Sequence, residues 1–329
     1  MWNLILGGIT DVFGLTNILL IFVGVFVGIV FGAIPGLSTD LAVILFLPLT
    51  FNMPIMPSIL LLLGIYCGGT YGGSITAIMI GTPGTNTAAA TVFDGYPMAQ
   101  RGQGRKALTM ALVASTIGGI VSALILLFTA PYISNFVLKF GPPENFGLAI
   151  FGLTIIAGVS GNSVLRGILM GCFGYFISCI GVDAASGATR FTFDNVFMMK
   201  GLSLLPILLG VFAFPNILNQ IYNKGYLNVL KNRKKLDAAD KLSREEIKEC
   251  MPAITKSTLI GSVVGAIPAA GAAIAAFMAY NEAKRASKKG SEFGTGVLEG
   301  VAAPEAANNA VTGTSLIPLF TLGIPGSIV

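Results

Sequence analysis

The side chains able to do chemistry in this chain are few, and they gather in two settings. Asp40 and Glu305 are carboxylates placed inside long apolar stretches, and Asn308 and Asn309 lie three and four positions after Glu305. Ser38, Thr39, Thr85 and Asn86 add hydroxyls and an amide beside Gly-Pro sequences. A carboxylate at membrane depth is costly and is a functional candidate by default. Asp40, Glu305, Asn308 and Asn309 are therefore expected to serve ion coupling, holding Na⁺ together with freed carbonyls or carrying a proton. Asp40 also suits the N-cap of a returning helix, and Glu305 also suits an interfacial loop near the cytoplasmic face. No metal is expected beyond a transported Na⁺, and no cofactor.

The elements that must position these groups are marked by a repeated break. Gly32-Ala-Ile-Pro-Gly-Leu-Ser-Thr-Asp40 interrupts one apolar stretch and Gly265-Ala-Ile-Pro-Ala-Ala-Gly271 another. Each is trailed by a second break, Gly81-Thr-Pro-Gly84 and Gly323-Ile-Pro-Gly326. Pro35 and Pro268 lie 233 positions apart, and Pro83 and Pro325 lie 242 apart. The near-equal offsets point to an internal duplication with units longer than those of a solenoid. Paired apolar segments broken by Gly and Pro in two halves point to the binding site of a secondary transporter. Freed backbone groups persist in lipid only where they line a cavity or are buried in protein. The other reading is that the breaks are kinks tolerated among packed helices.

Composition sets the class. Mean hydropathy is +0.81, 54% of residues are hydrophobic and 11% charged, against roughly 25% charged in a soluble domain. The net charge of +5 resides in short loops, so it reads as a topology signal and not as a nucleic-acid surface. There is no histidine, which excludes Ser-His-Asp hydrolysis, His–zinc sites and histidine proton relays. No P-loop sequence occurs, so ATP hydrolysis of that kind is excluded. Cys67, Cys172, Cys179 and Cys250 lack metal-type spacing and read as small packing residues. Residues 1–17 show no cleavable signal peptide and read as an interfacial lead-in.

Along the chain, 1–106 is expected to form a first repeat and 107–222 four ordinary spans (Ala107–Ala130, Asn145–Val159, Val164–Ile180, Met199–Tyr222). Residues 223–256 read as a cytoplasmic basic linker, and 257–329 as a second repeat that stops short. Basic residues at Arg101–Lys106, Lys231–Lys248 and Lys284–Lys289 belong in the cytoplasm, and the uncharged loop Phe51–Pro57 outside. An odd number of crossings between the copies then inverts the second unit. The fold class is an all-α polytopic membrane protein with two inverted-topology repeats, each with Gly/Pro-broken, re-entrant or discontinuous helices. Gly64, Gly68 and Gly72, four apart, read as a close helix-packing face. Arg190 and Asp194 read as flanking a solvated external loop.

Several runs together resemble the large membrane subunit of the tripartite tricarboxylate transporter family. They are Gly32-Ala-Ile-Pro-Gly36 with Leu47-Pro-Leu-Thr-Phe51, Gly64-Ile-Tyr-Cys-Gly-Gly-Thr-Tyr-Gly-Gly-Ser74, Thr82-Pro-Gly84, and Asp94-Gly-Tyr-Pro-Met-Ala99. Phe140-Gly-Pro-Pro-Glu144, Arg190-Phe-Thr-Phe193, Glu299-Gly-Val-Ala-Ala-Pro-Glu-Ala-Ala-Asn-Asn309 and Leu322-Gly-Ile-Pro-Gly326 complete them in the family's order. The second break departs from the family's usual Pro-Gly-Ala-Gly, having Pro268-Ala-Ala-Gly271. The family continues with further spans past Val329, so a C-terminally truncated chain is expected. The resemblance implies a multi-pass permease of the bacterial inner membrane, working with a small membrane subunit and a periplasmic solute-binding protein. It implies ion-gradient-driven uptake of tricarboxylates, dicarboxylates or related organic acids. A passive pore for small anions is the alternative.

No arginine or lysine lies within a break to neutralise such a substrate. Half-helix N-termini carry unpaired N–H groups and about half a positive charge, which suits a carboxylate. Substrate binding is accordingly expected at Pro35, Gly36, Ser38 and Thr39, and at Pro83, Gly84, Thr85 and Asn86. In the second half it is expected at Pro268, Gly271, Pro325, Gly326 and Ser327. Valine at Gly36 or Gly84 should then abolish uptake while leaving insertion and expression intact.

Overall fold

The computed structural model describes residues 7–8, 10–137, 141, 143–144, 146–147, 150, 163–183, 187–202, 206–207, 210–211, 214, 218, 241–268 and 271–323. The expected spans Asn145–Val159 and Met199–Tyr222 lie mostly outside them, and residues 223–240 and Pro325, Gly326 and Ser327 lie wholly outside. The chain divides into two compact units, 1–134 with 218–329, and 135–217. That partition differs from the four segments read from sequence.

The larger unit begins with α1 (Leu15–Ala33), an apolar helix that stops where Pro35 forces Ile34 into an extended backbone (φ −97°, ψ 113°). After a non-helical stretch the chain resumes as α2 (Thr39–Thr50), whose N-cap is Ser38: its hydroxyl accepts the Leu41 amide at 3.1 Å. Asp40 therefore sits inside the first turn, where a negative charge favours the helix dipole, and is not the cap. Next, α3 (Ile55–Ile80) ends at Gly81 in the left-handed conformation (φ 71°). Gly24, Gly28 and Gly32 of α1 face Gly64, Gly68 and Gly69 of α3 so closely that added β-carbons would fall on opposing backbone. The glycine face read from sequence is a packing face, and α1 is its partner.

A 3₁₀ turn at Asn86–Ala88 leads to α4 (Val92–Gln100) and the long α5 (Gly104–Val137). Of the described helices, α1, α3 and Gly104–Ile133 of α5 are long and apolar enough to cross a membrane.

In the smaller unit, α6 (Val164–Ser178) precedes a two-residue hairpin of β1 (Gly181–Val182) and β2 (Thr189–Arg190), paired antiparallel. Arg190 bonds Asp183 at 2.9 Å, and a short α7 (Val196–Met199) comes next.

The larger unit resumes with α8 (Arg244–Ala266), opened by a capping box in which Ser243 and Glu246 satisfy each other's backbone amides. The boundary expected at 256/257 falls inside this helix, because that box starts the helix well before the apolar run. Then come α9 (Ala272–Ala286), entered through Gly271 at φ 77°, α10 (Leu298–Thr314) and α11 (Leu316–Leu322), which ends at Gly323 with φ 68°. The packing of α8 on α10 mirrors that of α1 on α3 position by position. A β-carbon at Gly28 would meet the Ile65 carbonyl and one at Gly261 the Ala307 carbonyl; one at Gly32 would meet Gly69 and one at Gly265 would meet Val311. The first members differ by 233 positions and the second by 242.

Candidate functional site

Every residue from Gly300 to Thr314 of α10 is buried. Its alanines and glycines let neighbours approach closely: Gly118 of α5 lies against the Ala306 carbonyl and Gly261 of α8 against that of Ala307. A polar side chain on such a helix must find partners within the protein.

Glu305 is 0% exposed and sits midway along α10. One carboxylate oxygen, Oε1, accepts the hydroxyls of Ser74 (2.6 Å, from α3) and Thr91 (2.5 Å, preceding α4); Oε2 accepts Ser115 of α5 at 3.2 Å. The amide of Asn309 extends the network to the Ser115 hydroxyl (2.8 Å) and to Asn308 Oδ1 (2.5 Å). Asn308 in turn donates to the Thr87 carbonyl at 3.4 Å. No lysine or arginine is among the partners of Glu305 within the described residues. The result is a buried carboxyl group from the second half of the chain, held by neutral donors from the first. Of the two readings of Glu305, the loop position is excluded.

The first-half break residues gather one helix away. Thr39 packs on Gly69 and Thr85 on Gly73, both on α3 one turn apart. The Thr85 hydroxyl contacts that of Thr87 at 2.9 Å. Pro83 and Gly84 do not open a half-helix. The Gly84 amide is spent on the Gly73 carbonyl at 3.2 Å, and its Cα lies against the Gly32 carbonyl. The chain enters the 3₁₀ turn at Asn86 instead. Pro35 and Gly36 form the turn into α2, with Gly36 exposed at φ 91°.

From the second half, Pro268 and Gly271 lead into α9, whose N-terminus has no side-chain cap. The turn at Asn86–Ala88 packs on α9, and Ala90 shares an apolar cluster with Ala272, Ala275 and Ala276. Thr85, Asn308, Asn309 and Glu305 are thus drawn into one buried seam between α3, α9 and α10, with Asn86 exposed at its edge.

Sequence reading missed the three hydroxyls on Glu305, since serines and threonines in apolar helices usually bond their own backbone. It also gave no role to Asp94, which is 0% exposed. Asp94 Oδ1 accepts the amides of Gly294 (3.0 Å), Gly296 (2.7 Å) and Val297 (2.8 Å), and Oδ2 accepts the Tyr280 hydroxyl (2.9 Å). The apolar residues flanking Asp94 were the available signal.

The profile of the Tripartite tricarboxylate transporter TctA family matches residues 18–329. An uncharacterised 52.8 kDa protein from the TAR-I ttuC' 3' region of Agrobacterium vitis is 38% identical over 310 residues. The alignment covers 94% of this chain and 61% of that relative, so the chain spans about 61% of its length. A second A. vitis protein, from the TAR-II ttuC' 3' region, is 70% identical over 30 residues, 9% of this chain and 12% of that protein. No solved structure matches the chain.

Proposed function

The chain belongs to the Tripartite tricarboxylate transporter TctA family, a family of transporters and not of enzymes, and from that premise we propose that it is the permease subunit of a binding-protein-dependent secondary transporter. Its cargo is a tricarboxylate, dicarboxylate or related organic acid, taken up across the bacterial inner membrane and driven by Na⁺ or H⁺. Its partners are the small membrane subunit and the periplasmic solute-binding protein.

One observation carries this reading. A buried carboxylate, Glu305, lies in a seam lined from both halves of the chain and has no cationic partner among the described residues. A permanently uncompensated charge there would be costly. A site that loads and unloads a monovalent cation during a transport cycle has a use for such a group. A duplicated architecture of the inverted-repeat kind is supported by the matching glycine contacts of α1 on α3 and α8 on α10. In this reading Gly36, Ser38, Thr39, Thr85, Asn86 and Gly271 are the groups offered to the carboxylate cargo.

The test is omission. The complete complex is reconstituted in proteoliposomes with candidate binding proteins, and uptake of radiolabelled carboxylates is compared with each component left out in turn. Loss of uptake without the permease or the binding protein is expected. Uptake that ignores the binding protein would favour the passive pore.

A further inference from the structure

We propose that the ion carried by Glu305 is a proton, and that the hydroxyls of Ser74, Thr91 and Ser115 form the switch that accommodates it. The proposal rests on the transporter reading above and names its coupling ion.

The donor set suits both protonation states. When Glu305 is ionised, three hydroxyls donate to it, as the distances of 2.6, 2.5 and 3.2 Å record. When it is protonated, its own O–H must donate, and one hydroxyl must turn round to accept. Hydroxyls do both. Ser74 and Ser115 lie within helices, so a displaced hydroxyl has the carbonyl four residues earlier as its alternative partner. Thr70, Thr109 and Thr116 already make that bond, to Tyr66, Arg105 and Leu112 at 2.9, 2.8 and 2.7 Å. A turn of the serine side chain supplies that alternative, and neither state calls for a charged partner.

The oxygens as they stand are spaced for hydrogen bonds and not for a shared metal cation. Oxygens sharing an octahedral shell with ~2.4 Å bonds stand roughly 3.4 Å apart, whereas Ser74 and Thr91 lie 2.6 and 2.5 Å from Glu305 Oε1. The Asn309 N–H₂ group occupies Asn308 Oδ1 and Ser115 Oγ, the neighbouring candidate ligands.

Coupling arises from charge. Asn308 connects the neighbourhood of Glu305 to the turn at Thr87, next to Asn86. An ionised Glu305 repels an anionic cargo held at that turn; a proton taken from the periplasmic side removes the repulsion and is released on the cytoplasmic side with the cargo. The titratable groups facing α10 from the elements packed on it are Cys67 and Tyr71 of α3, Asp94 of α4, Cys250 of α8 and Tyr280 of α9. Of these, Tyr71 is the one whose electrostatics involve Glu305.

The experiment uses the complete complex in proteoliposomes and a carboxylate that it transports. An inward pH gradient in sodium-free buffer should drive accumulation, and a protonophore should abolish it. Glu305→Gln mimics the protonated form and should lose accumulation while still exchanging internal for external substrate. Ser74→Ala with Ser115→Ala removes donors that favour the charged form and should move the pH midpoint of uptake to more alkaline values. That shift is a readout a purely structural role would not produce, and it stands even if Glu305→Gln fails to fold. Accumulation driven by a sodium gradient at equal pH, with no proton movement, would overturn the proposal while leaving the transporter reading intact. Absence of uptake under both gradients with every candidate binding protein would instead remove the transporter reading.

Discussion

Tyr280 donates its hydroxyl to Asp94 at 2.9 Å, joining two residues 186 positions apart. The other oxygen of Asp94 collects three backbone amides ahead of α10. A single side chain from the first half thereby ties down the loop leading into the helix that carries Glu305 in the second. Phe93, next to it, packs edge-on against Tyr280 at 5.3 Å, so the polar tie is enclosed by aromatic rings.

Removing that tie should loosen α10. Asp94→Ala leaves buried amides and the Tyr280 hydroxyl unpaired, at a cost on the order of 3 kcal/mol. Asp94→Asn keeps one acceptor oxygen and should recover part of the loss, and Tyr280→Phe should cost about 1 kcal/mol. Thermal melting of the detergent-solubilised protein checks the ranking. Equal melting temperatures for wild type and Asp94→Ala would show that the tie is dispensable.

Two glycines that look equivalent in sequence should behave differently. Gly36 is exposed at φ 91°, so Gly36→Val adds backbone strain of about 1–3 kcal/mol and should mainly impair uptake. Gly84 lies against the Gly32 carbonyl with no room for a side chain. Gly84→Val should therefore reduce the yield of folded protein, contrary to the sequence-based expectation of intact expression. Size-exclusion profiles alongside uptake separate the two outcomes.

The ion pair of Lys106 and Glu246, 2.7 Å long, bridges the starts of α5 and α8. Partial burial works against the charged carboxylate, but hydrogen bonds from Lys106 and Ser243 prevail and hold Glu246 below the usual 4.5. A lowered value means that the stabilisation is present above that pH and is lost as the pH falls through the depressed value. Because the pair is partly exposed, its worth is at most about 1 kcal/mol. Glu246→Gln keeps a capping side chain and should lose only that pH-dependent part. Glu246→Ala should lose about 1 kcal/mol more, the share of the cap. Melting at pH 7 and in mild acid measures both.

Topology offers an independent check. A cysteine at Asn52 should react with an impermeant reagent from the periplasmic side, and one at Lys288 should be protected until the membrane is opened. Labelling of both from one side would remove the inverted-repeat arrangement.

The helix ends and the glycine face were legible because each is a local departure from an apolar background. Pro35 and Gly81 end their helices for reasons visible in any short window. The partners of Glu305 were not legible: Ser74, Thr91 and Ser115 lie 231, 214 and 190 positions away, and no periodicity links them. Likewise, nothing local distinguishes the Gly84 amide from that of a free helix start. Its neighbours Gly73 and Gly32 come from other helices, so its role appears only in the packed structure.

The most direct test of the central claim is the accumulation ratio of a radiolabelled carboxylate in proteoliposomes holding the complete complex, under an imposed ion gradient and again after its collapse. A coupled permease should raise internal substrate above the external concentration while the gradient lasts and let it fall to equality afterwards. Substrate that only ever equilibrates, gradient or none, would contradict coupled transport.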